Sequence, residues 1–308
     1  MKKYIILFLL LNVLCPLIKC GEPQGTYSYG KYEGNQVVVF GNDPAIYEKP
    51  LINSKVLFEP VPGTVLKLID IAPGSMEFNG YTEGWYKVSY KEKDKALISG
   101  YIWGGSLAKA YVMGDFDNDG QKETVVMGAK YVKSEAGKKN AKLRYIKNGI
   151  AKNVLLFAPL GSYYTDERMF NENGIKAEMT DSKGFSPPIK LFKIEFSAES
   201  CDHAYGDMYF LWDGKSLQKA FEALAGASDE IGGRVRVLLP SSGKTKPNGI
   251  TVVTAWVPHN NDDRSKPHDV EIDTENYKWN GQHIVLENSK EEKIKWAVFK
   301  KIYPDLAD

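Results

Sequence analysis

Cysteine is scarce in this chain of 308 residues, and so are the short motifs of common enzymes. The three cysteines are Cys15, Cys20 and Cys201. They form no CxxC pair and no regular spacing, so neither a disulfide framework nor a cysteine-based zinc site is predicted. The patterns GxSxG, HExxH and GxxxxGK[ST] are also missing. The chain therefore carries no sequence signature of an α/β-hydrolase, a zinc peptidase or a P-loop nucleotide-binding protein.

An excess of charge of either sign is missing as well. The chain has 40 Lys and Arg against 39 Asp and Glu, a formal net charge of +1. Removal of residues 1–19 takes away three lysines and no acid, which brings the formal charge to about −2. A chain without a basic excess lacks the electrostatic footprint of a nucleic-acid-binding protein and the polybasic face that binds anionic lipid.

Long hydrophobic runs are absent except at the N-terminus. Residues 4–18 are almost wholly apolar and follow the basic pair Lys2-Lys3. This run is too short to span a bilayer comfortably, and its place at the start of the chain predicts a secretory signal peptide over residues 1–20. No later run is apolar enough to cross a membrane, so contact with a membrane is predicted only through an N-terminal lipid anchor.

The end of the signal leaves two alternatives open. Leu17-Ile18-Lys19-Cys20 resembles a bacterial lipoprotein signal, which implies that Cys20 becomes the lipidated first residue of the mature chain. Lys19 departs from the small residue that such signals carry at this position. The alternative is ordinary cleavage near Gly21. The first predicts an exported outer or inner membrane lipoprotein, and the second a periplasmic or secreted protein.

Aromatic residues and glycine are abundant, with 18 Tyr, 13 Phe and 28 Gly. Short alternating apolar runs separated by Gly, Pro and Asn predict an all-β protein, and the length suggests two domains. One or two short helices are also predicted. Leu217, Phe221 and Leu224 have helical spacing within Lys215–Ala225, and Ser289 with Glu292 offers a capping box before Ile294–Ile302.

After a linker at residues 21–35, residues 36–109 contain a series of short strands that predict a small barrel of hairpins. Three pieces of this region are similar in order to a bacterial SH3-type domain, namely Pro62-Gly63-Thr64, Gly84-Trp85-Tyr86-Lys87-Val88 and Gly100-Tyr101-Ile102. The resemblance implies a shallow groove that binds cell-wall peptide or an envelope protein. Tyr81 and Trp103, beside glycines at turns, are predicted to form the exposed binding surface. Trp85 and Val88 are assigned to the barrel core.

The acidic segment 115–123 follows one strand-like run and precedes another. Its side-chain oxygens come from Asp115, Asp117, Asp119 and Glu123, Gly120 permits the turn, and the carbonyl of Gln121 can add a ligand. Hard oxygen donors in a tight loop suit calcium. An EF-hand needs Glu at the twelfth position, where Val126 stands. The segment resembles the strand–loop–strand calcium motif of FG-GAP and related repeats. The alternative is a solvated acidic turn.

A faint repeat runs through residues 110–308. Asn148-Gly149, Asp213-Gly214 and Asn280-Gly281 each follow a strand-like run, at intervals of 65 and 67 residues, and favour type I′ turns. A glycine-containing loop precedes each hairpin. We therefore predict three diverged units of about 65 residues in an antiparallel, propeller-like or sandwich-like domain. Only the first unit keeps its carboxylates, so one calcium is predicted.

Two functions of different classes follow. Cys201-Asp202-His203, together with His259, His268 and His283, suggests a cysteine peptidase, but Cys201 precedes a strand rather than a helix and no matching histidine motif follows. The favoured hypothesis is a non-enzymatic exported cell-envelope binding protein with a calcium-stabilised loop. The alternative is a peptidoglycan hydrolase of the cell envelope whose active site follows no recognisable motif.

Overall fold

The computed structural model describes residues 35–41, 44–78, 81–92, 95–131, 139–157, 175–180, 182–196, 204–226, 231–258 and 269–307. These residues form eighteen strands in four antiparallel sheets, with one α-helix and three single turns of 3₁₀-helix. The predicted all-β class is confirmed.

Six strands form the first sheet, which we call the N-terminal sheet. They are β1 (Gln36–Val38), β2 (Ile46–Tyr47), β3 (Val56–Phe58), β4 (Val65–Phe78), β5 (Tyr81–Tyr90) and β6 (Ile98–Trp103), arranged in the order β1-β4-β5-β6-β2-β3. The two edge strands, β1 and β3, have three residues each and do not pair with one another. The described residues therefore form an open, curled sheet and not the closed barrel that was predicted. Residues 70–78 and 81–83 lengthen the β4–β5 hairpin, in which two bulges bend β4.

The remaining strands form three four-stranded sheets, which we call the first, second and third meanders. The first contains β7 (Ala110–Gly114), β8 (Glu123–Tyr131), β9 (Lys139–Lys147) and β10 (Ile150–Phe157). The second contains β11 (Ile175–Met179), β12 (Lys190–Phe196), β13 (Ala204–Trp212) and β14 (Leu217–Gly226). The third contains β15 (Ile231–Leu238), β16 (Gly249–Pro258), β17 (Asp269–Trp279) and β18 (Ile284–Lys295). In each meander, strands that follow one another in the chain are neighbours in the sheet.

The turn between the third and fourth strands carries the repeated dipeptide in every meander. Gly149, Gly214 and Gly281 all have positive φ angles, of 73°, 91° and 96°. Asn148 also has a positive φ, as a type I′ turn requires, but Asp213 and Asn280 do not. The type I′ prediction is therefore wrong for the last two turns. In these, the side-chain Oδ1 of the first residue accepts two backbone N–H groups and folds an Asx turn instead.

The meanders stack face to face, and the second is buried on both sides. Alternate residues point to opposite faces of a strand, so Phe192 and Phe210 face the first meander while Leu191 and Tyr209 face the third. Such layered packing of apolar sheet faces is that of a sandwich.

Different elements cover the two ends of the stack. On the outer face of the first meander, Val126 and Ile146 pack against Val38 and Phe40 of the N-terminal sheet region. On the outer face of the third, Val253 and Ile272 pack against Phe299 of helix α1 (Trp296–Ile302). Because both ends are covered, three units bury their apolar faces without closing a ring.

The helix predictions need two corrections. Residues 215–225 lie mostly in strand β14, so the first predicted helix is wrong. A bulge skips Ala220 in the pairing with β13, which places Leu217 and Phe221 on opposite faces although they are four residues apart. The C-terminal helix exists, but it begins at Trp296. Ser289 and Glu292 belong to β18, so the predicted capping box does not form.

Candidate metal centre

The β7–β8 loop is folded by its own carboxylates. Asp115 accepts the backbone N–H of Asp119 at Oδ1 and that of Gly120 at Oδ2, each at 3.1 Å. Asp119 Oδ1 accepts the N–H of Gln121 at 2.9 Å. Gly120 and Asn118 have positive φ angles of 84° and 60°, conformations that Gly and Asn tolerate best. The acidic residues therefore shape the loop before any ion is considered.

Glu123 is the buried member of the acidic set. Its side chain is closed off from solvent, and Oε2 accepts the N–H of Phe116 at 2.8 Å. Its Oε1 is buried without a hydrogen-bond partner. A buried polar atom left without a partner costs about 1–3 kcal/mol, and more when it is charged. This oxygen lacks a hydrogen bond, and the Lys147 ammonium group is a cation 3.6 Å away from it.

Three of the five predicted ligands come together. One oxygen each from Asp115, Asp117 and Glu123 lies within 4.8 Å of the others, a donor set typical of hard cations. Asp119 lies outside this group, and the exposed Gln121 uses its N–H within the loop. Asp115, Asp117 and Glu123 thus supply the side-chain oxygens that would hold an ion, and the carbonyl of Gln121 as a further ligand stays a prediction.

Lys147, at the end of β9, is a member of the site that the sequence did not predict. Its Nζ lies 2.6 Å from Asp117 Oδ2, 2.6 Å from Asp119 Oδ2 and 3.6 Å from Glu123 Oε1. The hydrogen bonds with Asp117 and Asp119 raise the pKa of Lys147 above its usual range. The hydrogen bond from Lys147 lowers the pKa of Asp119. The register of β8 and β9, which pairs Thr124 with Ile146, brings this lysine beside Glu123.

Tyr145 connects the acidic loop to the second meander. Its hydroxyl lies 3.5 Å from Asp117 Oδ2, and burial, with the nearby charges of Glu123 and Asp117, raises the pKa of Tyr145 above its usual range. The ring of Tyr145 stacks on that of Trp212 with 4.0 Å between centroids and 3° between planes. Tyr145 therefore contacts both the acidic loop and the interface between the first and second meanders.

A cavity of about 780 Å³ opens beside the loop. Asp117 belongs both to the acidic group and to the cavity wall. The rest of the wall comes from the β7–β8 loop, the β11–β12 connection and the β13–β14 turn, including Phe116, Asn118, Lys183, Phe185, Trp212 and Asp213. An ion at Asp117 would face this cavity.

The predicted aromatic binding surface is not present at Trp103. This side chain is only 4% exposed, its Nε1 donates to the carbonyl of Met76 at 3.3 Å, and its ring meets that of Phe78 edge to face. A Cβ on Gly105 would overlap the Trp103 ring. The neighbouring glycine that suggested an exposed turn therefore makes room for a buried ring, and the prediction of exposure is wrong.

The other predictions for this region have different outcomes. Trp85 and Val88 are buried in the core as predicted. Tyr81 begins β5 and pairs with Phe78, but its side chain lies outside the described part of the structure.

The remaining candidate residues are mostly outside the described residues. This applies to the signal segment with Cys20, and to Cys201, Asp202, His203, His259 and His268. His283 is exposed, with Nδ1 2.7 Å from Gln218 Oε1. Within the described ranges, no helix has the length and apolar character needed to cross a membrane.

Comparisons with known proteins give no relative for this chain. No family model, no curated protein and no solved structure matches it. The resemblances to an SH3-type domain and to FG-GAP-like repeats therefore stay predictions.

Proposed function

We propose that this chain is a non-enzymatic, exported binding protein of the cell envelope whose β7–β8 loop holds one calcium ion. The observation that carries the metal site is the buried Glu123 Oε1, which has no hydrogen-bond partner and belongs to a group of three converging carboxylates. Export is expected from the apolar N-terminal segment, and the SH3-type region is expected to bind cell-wall peptide or an envelope protein.

A cation would act on stability here and not on a reaction. Asp115, Asp117 and Glu123 would hold the ion, whose charge offsets the repulsion between carboxylates packed within 4.8 Å. The loop begins and ends in β7 and β8, which are paired strands of the first meander. Fixing the loop therefore stabilises the sheet that supports the N-terminal sheet.

The contacts between the two parts of the chain favour a rigid scaffold. The buried Arg144 of β9 donates from Nη1 to the carbonyl of Phe40 at 2.7 Å, and its guanidinium lies 4.5 Å from the centre of the Phe40 ring. Val38 and Val126 pack together in the same interface. A binding surface on the N-terminal sheet would thus be held in a fixed position on the stack.

Thermal unfolding of the mature chain with and without calcium tests the metal site. At a calcium concentration 100 times the dissociation constant, the expected stabilisation is about 2.7 kcal/mol. Asp117→Ala should abolish this gain. Asp273→Ala is the matched control, because it removes a carboxylate of the third meander that accepts the indole N–H of Trp256, and it should lower the midpoint without removing the calcium effect. Absence of any calcium-dependent shift at millimolar ion would refute the metal site.

Sedimentation of the mature chain with purified peptidoglycan, beside pull-down with envelope extract, tests the binding function. We expect retention on one of the two, and none on a chitin matrix of equal mass. Incubation with the same peptidoglycan tests the hydrolase alternative. Release of soluble wall fragments that is lost when one side chain is replaced would refute the non-enzymatic proposal.

A further inference from the structure

The ammonium group of Lys147 stands where the cation would bind. It lies 2.6 Å from Asp117 Oδ2 and 3.6 Å from Glu123 Oε1, two of the three converging carboxylates. Calcium requires oxygen ligands at about 2.3–2.6 Å. A calcium ion bound to both carboxylates at such distances would overlap the position of the Lys147 ammonium group. The two positive charges would also repel one another. The two positive groups therefore exclude one another.

We propose that Lys147 is an internal competitor for the divalent cation, and that its displacement from the carboxylates sets the affinity of the site. This inference rests on the proposed metal site and adds the residue that regulates it. Binding is an exchange in which the ion enters, the ammonium group moves into water, and no covalent bond changes.

Lys147 alone neither neutralises the carboxylates of the loop nor gives all of their oxygens a hydrogen bond. Three carboxylates, of Asp117, Asp119 and Glu123, lie within 4 Å of one ammonium group of single charge, and Asp115 belongs to the same acidic group. The separation of 3.6 Å from Glu123 Oε1 exceeds hydrogen-bond distance, so this oxygen has an ion-pair contact but no hydrogen bond. A divalent ion brings more charge and more coordination positions than the ammonium group. For this reason exchange is favoured over a permanent salt bridge.

Lys147 can leave the site without a change in the sheet. Its side chain is 21% exposed, so a route to solvent exists beside the loop. The backbone of Lys147 pairs with Ile150 across the β9–β10 turn, which holds the strand in place. A change of side-chain rotamer is therefore sufficient, and the strand pairing remains.

Calorimetric titration of the mature protein with calcium chloride tests the competition. Lys147→Met keeps the length of the side chain and removes the charge, and we expect the calcium dissociation constant to fall at least tenfold. Lys152→Met, on the exposed face of β10, is the matched control and should stay within twofold of wild type.

The outcomes separate this inference from the proposed function. If wild type binds calcium and Lys147→Met has the same dissociation constant, the competition by Lys147 is refuted, whereas the metal site is supported. Binding by Lys147→Met alone would support competition while refuting calcium occupancy in the wild type. No binding by either protein would overturn both.

A second measurement uses only the wild-type chain. Reductive methylation with ¹³C-formaldehyde labels accessible lysine amines and preserves their charge. Saturating calcium should increase the labelling rate of Lys147, because the ammonium group leaves its carboxylates, and should leave that of Lys152 unchanged. An equal or slower rate for Lys147 in calcium would overturn the proposal.

Discussion

Lys109 and Glu83 form an ion pair of 2.8 Å in which each side chain is only 2% exposed. Glu83 lies on β5 of the N-terminal sheet, and Lys109 immediately precedes β7 of the first meander. The pair therefore joins the two parts of the chain inside their interface. Such a buried pair costs desolvation energy, and its partners depend strongly on one another.

Replacing one member of this pair should lower the free energy of unfolding more than replacing both. Lys109→Met leaves the Glu83 carboxylate buried without its cation, and we expect a loss of about 3–5 kcal/mol in the free energy of unfolding. The double variant Lys109→Met/Glu83→Leu should recover most of this loss. Urea denaturation measures both. A double variant no more stable than Lys109→Met would contradict the dependence.

The same pair predicts a pH dependence. Burial lowers the pKa of Lys109 to about 8, against the opposing effect of Glu83, whereas an unfolded lysine has a pKa of about 10.4. Between these values the folded state binds fewer protons than the unfolded state, so stability rises with pH, by at most about 1.4 kcal/mol per unit. Below pH 8 both states are protonated and the lysine adds no slope.

Denaturant unfolding of wild type and of the Lys109→Met/Glu83→Leu variant, from pH 7 to pH 10, measures this effect. Above pH 8, the free energy of unfolding of wild type should rise relative to that of the double variant. A difference that is constant or falls across this window would refute the assignment.

Gly128 on β8 is expected to tolerate no side chain. A Cβ at this position would overlap the ring of Phe40, which fills the interface between the N-terminal sheet and the first meander. Gly128→Ala should therefore destabilise the protein by about 1–3 kcal/mol. Gly226→Ala is the control, because nothing lies within 4 Å of its Cβ position. Equal thermal midpoints for the two variants would count against this packing.

Arg144 should hold the strand β1 region against the stack. Arg144→Met removes the donor to the carbonyl of Phe40 and leaves that buried acceptor unpaired, at a cost of about 1–3 kcal/mol. Hydrogen exchange should become faster for amides of β1 and residues 39–41 than for β12 and β13. Uniform acceleration across all sheets would show that the effect is not local.

The parts of the site that lie close together in sequence were predictable. Asp115, Asp117 and Glu123 converge because their spacing within one loop fixes their distances. Lys147 is 24 residues beyond Glu123, and only the β8–β9 register brings it into the site. No local pattern marks such a partner, although a lysine directly before an Asn-Gly turn is a cross-strand neighbour worth testing.

The wrong predictions have local physical causes. The four-residue spacing of Leu217 and Phe221 fits one face of a helix and one face of a strand equally well, and a bulge at Ala220 then turns the two side chains to opposite faces. Trp103 was placed on the surface because glycines flank it, whereas Gly105 serves to admit its ring. In the first case a bulge changed the face of a side chain, and in the second a missing side chain left room for a ring, neither of which periodicity alone reports.

The covered ends of the stack have a consequence for how such a chain can grow. In a ring of blades the number of blades fixes the curvature, so an added blade strains every interface. In this chain the N-terminal sheet and helix α1 each cover one outer face. A fourth meander, duplicated between the second and third, would meet an apolar face on either side and leave both terminal coverings unchanged. Whole meanders can thus be added to this fold without any change to the elements that cover its two ends.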